Sequence, residues 1–237
     1  MQLLLDIAPE SPPTLENFVA GRNAELLAAL HSGLGDTAPP GLYLWGESGS
    51  GKSHLLQATV AAARARGLSA EYACGELPAT TAHLVAIDAV ERLNAAAQIG
   101  LFARYNQLRT DGGWLLVAGS SAPAYLALRD DLRTRLGWGL IYQLHSLNDA
   151  EKSEALLRHA AARGFEPPAE VLGYLLRHGR RDLPSLLATL DALDERCLRQ
   201  HRMASVPLLR EVMENQRTPI DATAANEFYS RPEPRDE

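Results

Sequence analysis

Five short apolar runs alternate with amphipathic segments in the N-terminal part of the chain. The runs, each long enough for one strand, lie at residues 41–45, 70–73, 83–88, 114–118 and 141–144. Segments with helical periodicity lie at residues 23–30, 52–66 and 91–109. Strands that are apolar on consecutive positions and alternate with helices are typical of a parallel sheet covered on both faces. We therefore predict an α/β domain with a five-stranded parallel sheet.

Helical periodicity alone follows these runs. The predicted helices span residues 150–163, 168–178, 184–201 and 206–214. They indicate a small all-α domain over residues 148–214. Residues 215–237 are polar and aperiodic and contain three prolines, which predicts a disordered tail. Residues 1–10 are first apolar and then proline-rich, which predicts an extended arm ahead of an α/β domain at residues 11–147.

The composition is ordinary for a soluble globular protein. Hydrophobic residues make up 46% and charged residues 22% of the 237 positions, which excludes disorder for the bulk of the chain. No apolar run approaches the roughly 18 residues of a membrane span, and the start does not resemble a signal peptide. Two distant cysteines, Cys74 and Cys197, argue against a disulfide scaffold, so we expect a cytoplasmic location. The net charge of −6 argues against broad binding of nucleic acid by this chain alone.

A phosphate-binding loop is the strongest chemical indication in the sequence. Residues 46–53, GESGSGKS, satisfy the pattern GxxxxGK[ST] between a predicted strand and a predicted helix. Glycines allow the backbone to approach phosphate oxygens, and the helix N-terminus supplies positive potential. Lys52 is expected to reach the outer phosphates, and the Ser53 hydroxyl to bind Mg²⁺. The predicted nucleotide-binding residues here are Gly46, Ser48, Gly49, Ser50, Gly51, Lys52, Ser53 and His54.

A carboxylate closes the apolar run at residues 83–88. Asp88 at this position could hold the Mg²⁺ shell beside Ser53, or it could only cap a loop. Ala89 follows, where vigorous ATPases usually have an acidic residue nearby to orient water. We therefore expect weak turnover by the chain itself, with Glu91 or Asn94 as the candidates for polarising water.

Three stretches resemble the replication-initiator clade of the AAA+ ATPases, which contains DnaA. They are TLENFVAGRN at residues 14–23, GLYLWGESGSGKSHLLQ at 41–57 and DLRTRLGWGL at 131–140. The resemblance covers about residues 2–214, and within the clade the chain is similar to the short DnaA homologues of the Hda family. These consist of an AAA+ module and a helical lid, without a basic helix-turn-helix domain. The resemblance implies bound ADP or ATP together with Mg²⁺.

The resemblance also assigns an arginine finger. Arg135 matches the guanidinium that is presented in trans to the γ-phosphate of a neighbouring ATP, here ATP bound to DnaA. The alternative is a surface arginine that neutralises a helix C-terminus, and the nearby Arg129 and Arg133 complicate the assignment.

Of the two positions that correspond to nucleotide sensors in the family, one matches the family pattern and the other departs from it. Ser120, at the end of the run at residues 114–118, matches the polar sensor of the sheet. In the lid, Pro184 stands where the family has an arginine, so Arg181 or Arg180 is expected to replace it. A lid without a well-placed arginine would sense the γ-phosphate poorly, which predicts a preference for ADP.

The N-terminal arm resembles the peptides that dock on the bacterial sliding clamp. Such a peptide of the type Gln-Leu-x-Leu-apolar is extended, with leucines in apolar pockets and glutamine at the rim. The alternative is an arm that packs on its own domain, and Leu4 and Asp6 depart from the common pattern. The predicted clamp-docking residues are Gln2, Leu3, Leu5, Asp6 and Ile7.

Taken together, the resemblance implies a negative regulator of replication initiation. The ADP-bound protein would be recruited by the DNA-loaded sliding clamp, the β subunit of DNA polymerase III, and would stimulate hydrolysis of DnaA-bound ATP through Arg135. DNA would be contacted only through the clamp, and no membrane is involved. One alternative is a self-hydrolysing AAA+ helicase loader or DnaA-like remodelling ATPase, and another is a non-catalytic adaptor. The sequence leaves open whether the chain forms a homo-oligomer.

Overall fold

The computed structural model describes residues 12–35 and 41–217. The chain separates into two compact units between Asn148 and Asp149. The predicted arm at residues 1–10 and the predicted tail from residue 218 onward lie outside the described residues. In the part that is described, no helix is both long enough and apolar enough to cross a membrane.

A parallel sheet forms the centre of the first unit, as predicted. Its strands are β1 (Gly41–Trp45), β2 (Ala70–Cys74), β3 (Leu84–Asp88), β4 (Trp114–Gly119) and β5 (Leu140–Gln143). Their spatial order is β2-β3-β4-β1-β5, and every neighbouring pair is parallel. Because the strands are parallel, their carboxyl ends share one edge of the sheet, where open α/β sheets bind their ligands.

Helices cover both faces of this sheet. They are α1 (Ala24–Gly33), α2 (Lys52–Ala65), α3 (Ala95–Asp111) and α4 (Asp130–Leu136), with short 3₁₀ turns at Val90–Arg92 and Pro123–Tyr125. Alternate strand residues serve the two faces: Leu42 and Leu44 join the apolar cluster that includes α1 and α2, whereas Tyr43 joins the one that includes α3 and α4. Strands β3 and β4 are buried along their whole length, which accounts for their consecutive apolar residues.

The predicted helix at residues 91–109 is interrupted. A 3₁₀ turn at Val90–Arg92 comes first, and α3 begins only at Ala95. The Asn94 side chain caps α3 by accepting a hydrogen bond from the Ala97 backbone N–H at 2.9 Å. Its side-chain oxygen thereby takes part in the cap, and a role of Asn94 in polarising water stays a prediction.

The second unit contains the four predicted helices. They are α5 (Asp149–Ala162), α6 (Ala169–His178), α7 (Leu183–Gln200) and α8 (Val206–Arg217). Each contributes apolar residues to one core, among them the fully buried Leu156, Leu175, Leu193 and Leu209.

The start of the predicted tail is helical, which corrects that prediction for residues 215–217. Helix α8 continues to Arg217. One contact accounts for the extension: the side-chain oxygen of Gln216 accepts a hydrogen bond at 2.9 Å from the Thr189 hydroxyl on α7. The polar composition of this segment reflects an exposed last turn of α8.

Candidate nucleotide-binding site

The loop between β1 and α2 has a backbone that requires glycine. Gly49 and Gly51 have φ values of 78° and 103°, which side chains rarely adopt. A Cβ on Gly51 would lie 2.7 Å from the Phe18 ring, and one on Gly46 would lie 2.4 Å from the Leu144 carbonyl oxygen. Close packing on both sides therefore fixes the loop in this shape.

The loop presents hydrogen-bond donors without partners. Gly51 caps α2 without a side-chain bond, and the first turn of α2 contains no acidic residue. The first N–H groups of the helix are thus free to meet an anion. The Ser50 hydroxyl is buried and has no hydrogen-bond partner. A buried hydroxyl without a partner, beside a helix N-terminus without a side-chain cap, fits a phosphate group bound in this loop.

Lys52 folds over the same loop. Its Nζ donates to the carbonyl oxygens of Gly46 and Glu47, each at 2.7 Å. Burial lowers the pKa of Lys52 from its ordinary value, while the charges of Asp88 and Glu91 oppose that shift. An ammonium has three N–H donors, so one remains for a phosphate oxygen.

The two predicted Mg²⁺ residues meet beside this loop. The Ser53 hydroxyl donates to Asp88 Oδ2 at 2.5 Å, and the Ala89 backbone N–H donates to Oδ1 at 2.8 Å. Asp88 is only 5% exposed and has no ion-pair partner in the described part of the chain. The Tyr72 hydroxyl is a third donor, 3.2 Å from Oδ2. A buried carboxylate beside a hydroxyl supplies the oxygen ligands that Mg²⁺ prefers, so the residues fit the ion.

Glu91 lies at the same edge of the sheet. Ala89 has a left-handed backbone with φ 49°, and the 3₁₀ turn that follows brings Glu91 towards the end of β4. Its Oε2 lies 3.3 Å from where a Cβ on Gly119 would be. Burial raises the pKa of the Tyr43 phenol well above its ordinary range, and the Glu91 charge adds to the effect. The Glu91 carboxylate thus lies near Lys52, although it stands two positions further along the chain than the residue directly after Asp88.

The other residues that were predicted to bind nucleotide at this edge of the sheet have different surroundings. Ser120 is exposed directly after β4, and Ser48 is exposed in the loop. His54 faces the segment before α1: its Nε2 lies 3.0 Å from the Thr14 carbonyl oxygen, and its ring centroid lies 5.6 Å from that of Phe18. His54 therefore ties that segment to α2, and its contact with nucleotide stays a prediction.

A second tie holds this segment in place. The Asn23 amide donates to the His145 carbonyl oxygen at 2.9 Å, and the His145 N–H donates to Asn23 Oδ1 at 2.8 Å. The pair joins the start of α1 to the chain just after β5. Sequence reasoning missed it, because a single buried asparagine, 122 positions from its partner, leaves no local pattern.

Arg135 lies in the last turn of α4, away from carboxylates. Its guanidinium carbon is 4.0 Å from the Trp138 ring centroid and 5.5 Å from that of Phe102. Arg129 and Arg133 instead form ion pairs with Asp131 and Asp130, with N–O distances of 2.9 and 2.6 Å. Among the described residues, Arg135 is the member of this trio whose charge no carboxylate neutralises.

The arginines proposed for the lid lie in the second unit. Arg180 pairs with Asp182 at 3.2 Å, and the other oxygen of Asp182 caps α7 by accepting from the Ser185 N–H at 3.0 Å. Pro184 occupies the first turn of α7, where its missing N–H costs no helical hydrogen bond. Arg181 is exposed and has no ion pair within the described ranges. It is therefore the less constrained of the two candidates.

Comparison with known proteins finds similar lids and similar folds. Residues 149–213 match the sequence model of the family described as Hda, lid domain. Domain III of the replication initiation protein DnaA from Thermotoga maritima superposes with a TM-score of 0.71 at 21% identity, over 90% of this chain and 100% of that one. AMPPCP-bound DnaA from Aquifex aeolicus gives a TM-score of 0.70 at 20% identity, over 86% and 69% of the two chains.

A more distant likeness has the same architecture. The RuvB Holliday junction branch migration motor from Thermotoga maritima gives a TM-score of 0.64 at 18% identity, over 87% of this chain and 72% of that one. Residues 149–213 thus belong to the Hda lid-domain family, and the chain has the fold of these DnaA and RuvB structures. The matched Hda-type lid lies outside the three stretches that carried the resemblance in the sequence, so it supports that resemblance independently. The predicted fold, a P-loop α/β domain with an all-α lid, is confirmed.

Substitution of Gly51 tests whether the loop is the nucleotide cradle. Gly51→Ala adds a Cβ 2.7 Å from the Phe18 ring at a φ of 103°, so we expect affinity for a fluorescent ADP analogue to fall at least about tenfold. Gly67→Ala is the matched control, because Gly67 also has a positive φ, of 80°, but an added Cβ there meets nothing within 4 Å. Equal nucleotide affinity in the two variants would contradict this assignment.

Proposed function

We propose that the chain binds an adenine nucleotide in the loop at residues 46–53 and works as a regulator of DnaA. The Hda-type lid and the DnaA-like fold support the regulatory role, and the orphaned Ser50 hydroxyl and the Lys52 position support nucleotide binding. Ser53 and Asp88 would hold Mg²⁺, which supplies charge neutralisation at the phosphates. Pro184 in the lid supports ADP as the working nucleotide.

The unpaired guanidinium of Arg135 carries the second half of this proposal. An arginine that acts on a neighbour's triphosphate must be free of an internal carboxylate that holds its charge. Arg135 is half-buried and has no such carboxylate among the described residues, whereas Arg129 and Arg133 are paired. Stacking on Trp138, which is 58% exposed, holds the guanidinium without removing its charge or its donors. Arg135 would then stabilise the charge that develops on the γ-phosphate of DnaA-bound ATP.

Recruitment would be the task of the N-terminal arm. In a docked, extended peptide side chains alternate between two sides, so Leu3, Leu5 and Ile7 would face the clamp and Leu4 would face away. This spacing suits docking into apolar pockets of the sliding clamp, with Gln2 at the rim. Clamp loaded on DNA would thereby bring Arg135 to DnaA that has just taken part in initiation.

Removal of the Arg135 guanidinium should abolish the stimulation of DnaA. In a DnaA-ATP hydrolysis assay with clamp-loaded DNA, we expect Arg135→Ala to reduce the stimulated rate by roughly 10³, the lower range for an arginine supplied in trans. Arg133→Ala is the control on the same helix, because Arg133 is already paired with Asp130. Full stimulation by Arg135→Ala would leave only an adaptor role.

Two single substitutions test the arm. Leu5→Ala should weaken binding to purified clamp about tenfold or more, because it empties an apolar pocket, whereas Leu4→Ala should change it less than about threefold. Surface plasmon resonance with immobilised clamp measures both. Equal losses, or binding that survives deletion of residues 1–7, would contradict recruitment through the arm.

Glu91 favours one alternative function, a self-hydrolysing AAA+ ATPase. Its carboxylate lies near Lys52 and the end of β4, where it could orient an attacking water. We expect slow turnover by the chain alone, reduced at least about tenfold in Glu91→Gln and unchanged in Glu76→Gln, an exposed glutamate after β2. A fast rate that single-stranded DNA stimulates and Glu91→Gln abolishes would favour the remodelling ATPase over the regulator.

A further inference from the structure

Tyr72 lies on the strand next to the Mg²⁺ carboxylate. In the parallel pairing of β2 with β3, Tyr72 is opposite Ala86 and Cys74 is opposite Asp88. Side chains two positions apart on a strand point to the same face, so Tyr72 and Asp88 share the face that α2 covers. The phenol is long enough to span this offset of two residues, and its hydroxyl ends 3.2 Å from Asp88 Oδ2.

Both acceptor positions of Asp88 Oδ2 are in use. This oxygen accepts from the Ser53 hydroxyl at 2.5 Å and from the Tyr72 hydroxyl at 3.2 Å. A carboxylate oxygen offers about two lone-pair positions. The Ser53 hydroxyl would bind Mg²⁺ through an oxygen lone pair and can keep its proton on Asp88 Oδ2. The bond from Tyr72 takes the other position of this oxygen, so it would compete there with a water bound to the ion.

The Tyr72 hydroxyl keeps its proton at neutral pH. The ordinary pKa of a tyrosine hydroxyl is about 10, so the group is a donor under these conditions. Its ring packs against the apolar cluster that includes α2, which holds the hydroxyl in place.

We propose that Tyr72 is a positioning residue that competes with Mg²⁺ for Asp88 and so limits how much the ion adds to nucleotide affinity. The inference rests on the proposed nucleotide function. In this proposal the loop backbone and Lys52 hold the nucleotide. The Tyr72 hydroxyl raises the Mg²⁺ concentration that is needed to increase nucleotide affinity.

Titration of Mg²⁺ into the protein with a fluorescent ADP analogue tests this role without measuring hydrolysis. We expect Tyr72→Phe to lower the Mg²⁺ concentration at half-maximal enhancement of ADP affinity by about fivefold, because one hydrogen bond to a charged acceptor is removed while the ring remains. Affinity measured in EDTA should stay within about twofold of the unchanged protein. Thermal melts of each variant establish that it is folded.

Two further sets of variants distinguish this role of Tyr72 from a general effect on packing. Tyr142→Phe is the matched control, because Tyr142 packs against the same apolar cluster from β5, and its Mg²⁺ midpoint should equal that of the unchanged protein. In an Asp88→Asn background, Tyr72→Phe should no longer shift the midpoint, since the acceptor charge is gone.

The outcomes distinguish this inference from the function on which it rests. An unchanged or higher midpoint in Tyr72→Phe, or a shift that persists with Asp88→Asn, would overturn the role of Tyr72 while leaving nucleotide binding intact. If the unchanged protein binds no adenine nucleotide at all, the proposed function fails, and the inference fails with it.

Discussion

The hydrogen bond between Ser53 and Asp88 joins the start of α2 to the end of β3, and the candidate site is built around it. It forms because parallel strands bring their carboxyl ends to one edge, where the phosphate loop of β1 and the last residue of β3 meet. Two glycines with positive φ let the chain turn tightly enough to start α2 at that edge. A serine hydroxyl and an ammonium from the start of α2 thus converge with a carboxylate from the end of β3.

Much of this arrangement could be predicted from the sequence. The apolar runs located all five strands. Burial on both faces accounts for the consecutive apolar residues of β1, β3 and β4, whereas β5 is largely exposed. The loop at residues 46–53 was recognisable because its chemistry depends on residue types at fixed spacing. Asp88 followed from its place at the end of an apolar run. In each case the residues that determine the feature lie close to it in the sequence.

Features that depend on distant partners could not be predicted in this way. The Asn23–His145 pair joins two loops, and the Tyr72 contact with Asp88 needs the register of β2 on β3. Residues 215–217 were expected to be disordered from their polarity, because the Thr189–Gln216 bond that holds the last turn of α8 has no local signature. The contrast between Arg135 and its paired neighbours likewise depends on side-chain geometry, since the sequence shows only three arginines within seven positions.

The backbone of Ala89 has a consequence for how this protein could change. Its left-handed conformation costs about 1–2 kcal/mol for residues other than glycine, and asparagine and aspartate tolerate it best. Ala89 already bears this cost, so a glutamate there would add little to it, but its side chain would leave the chain in the direction that the bend sets. Whether a new carboxylate beside Asp88 could reach the nucleotide is therefore decided by the path of the main chain through this turn.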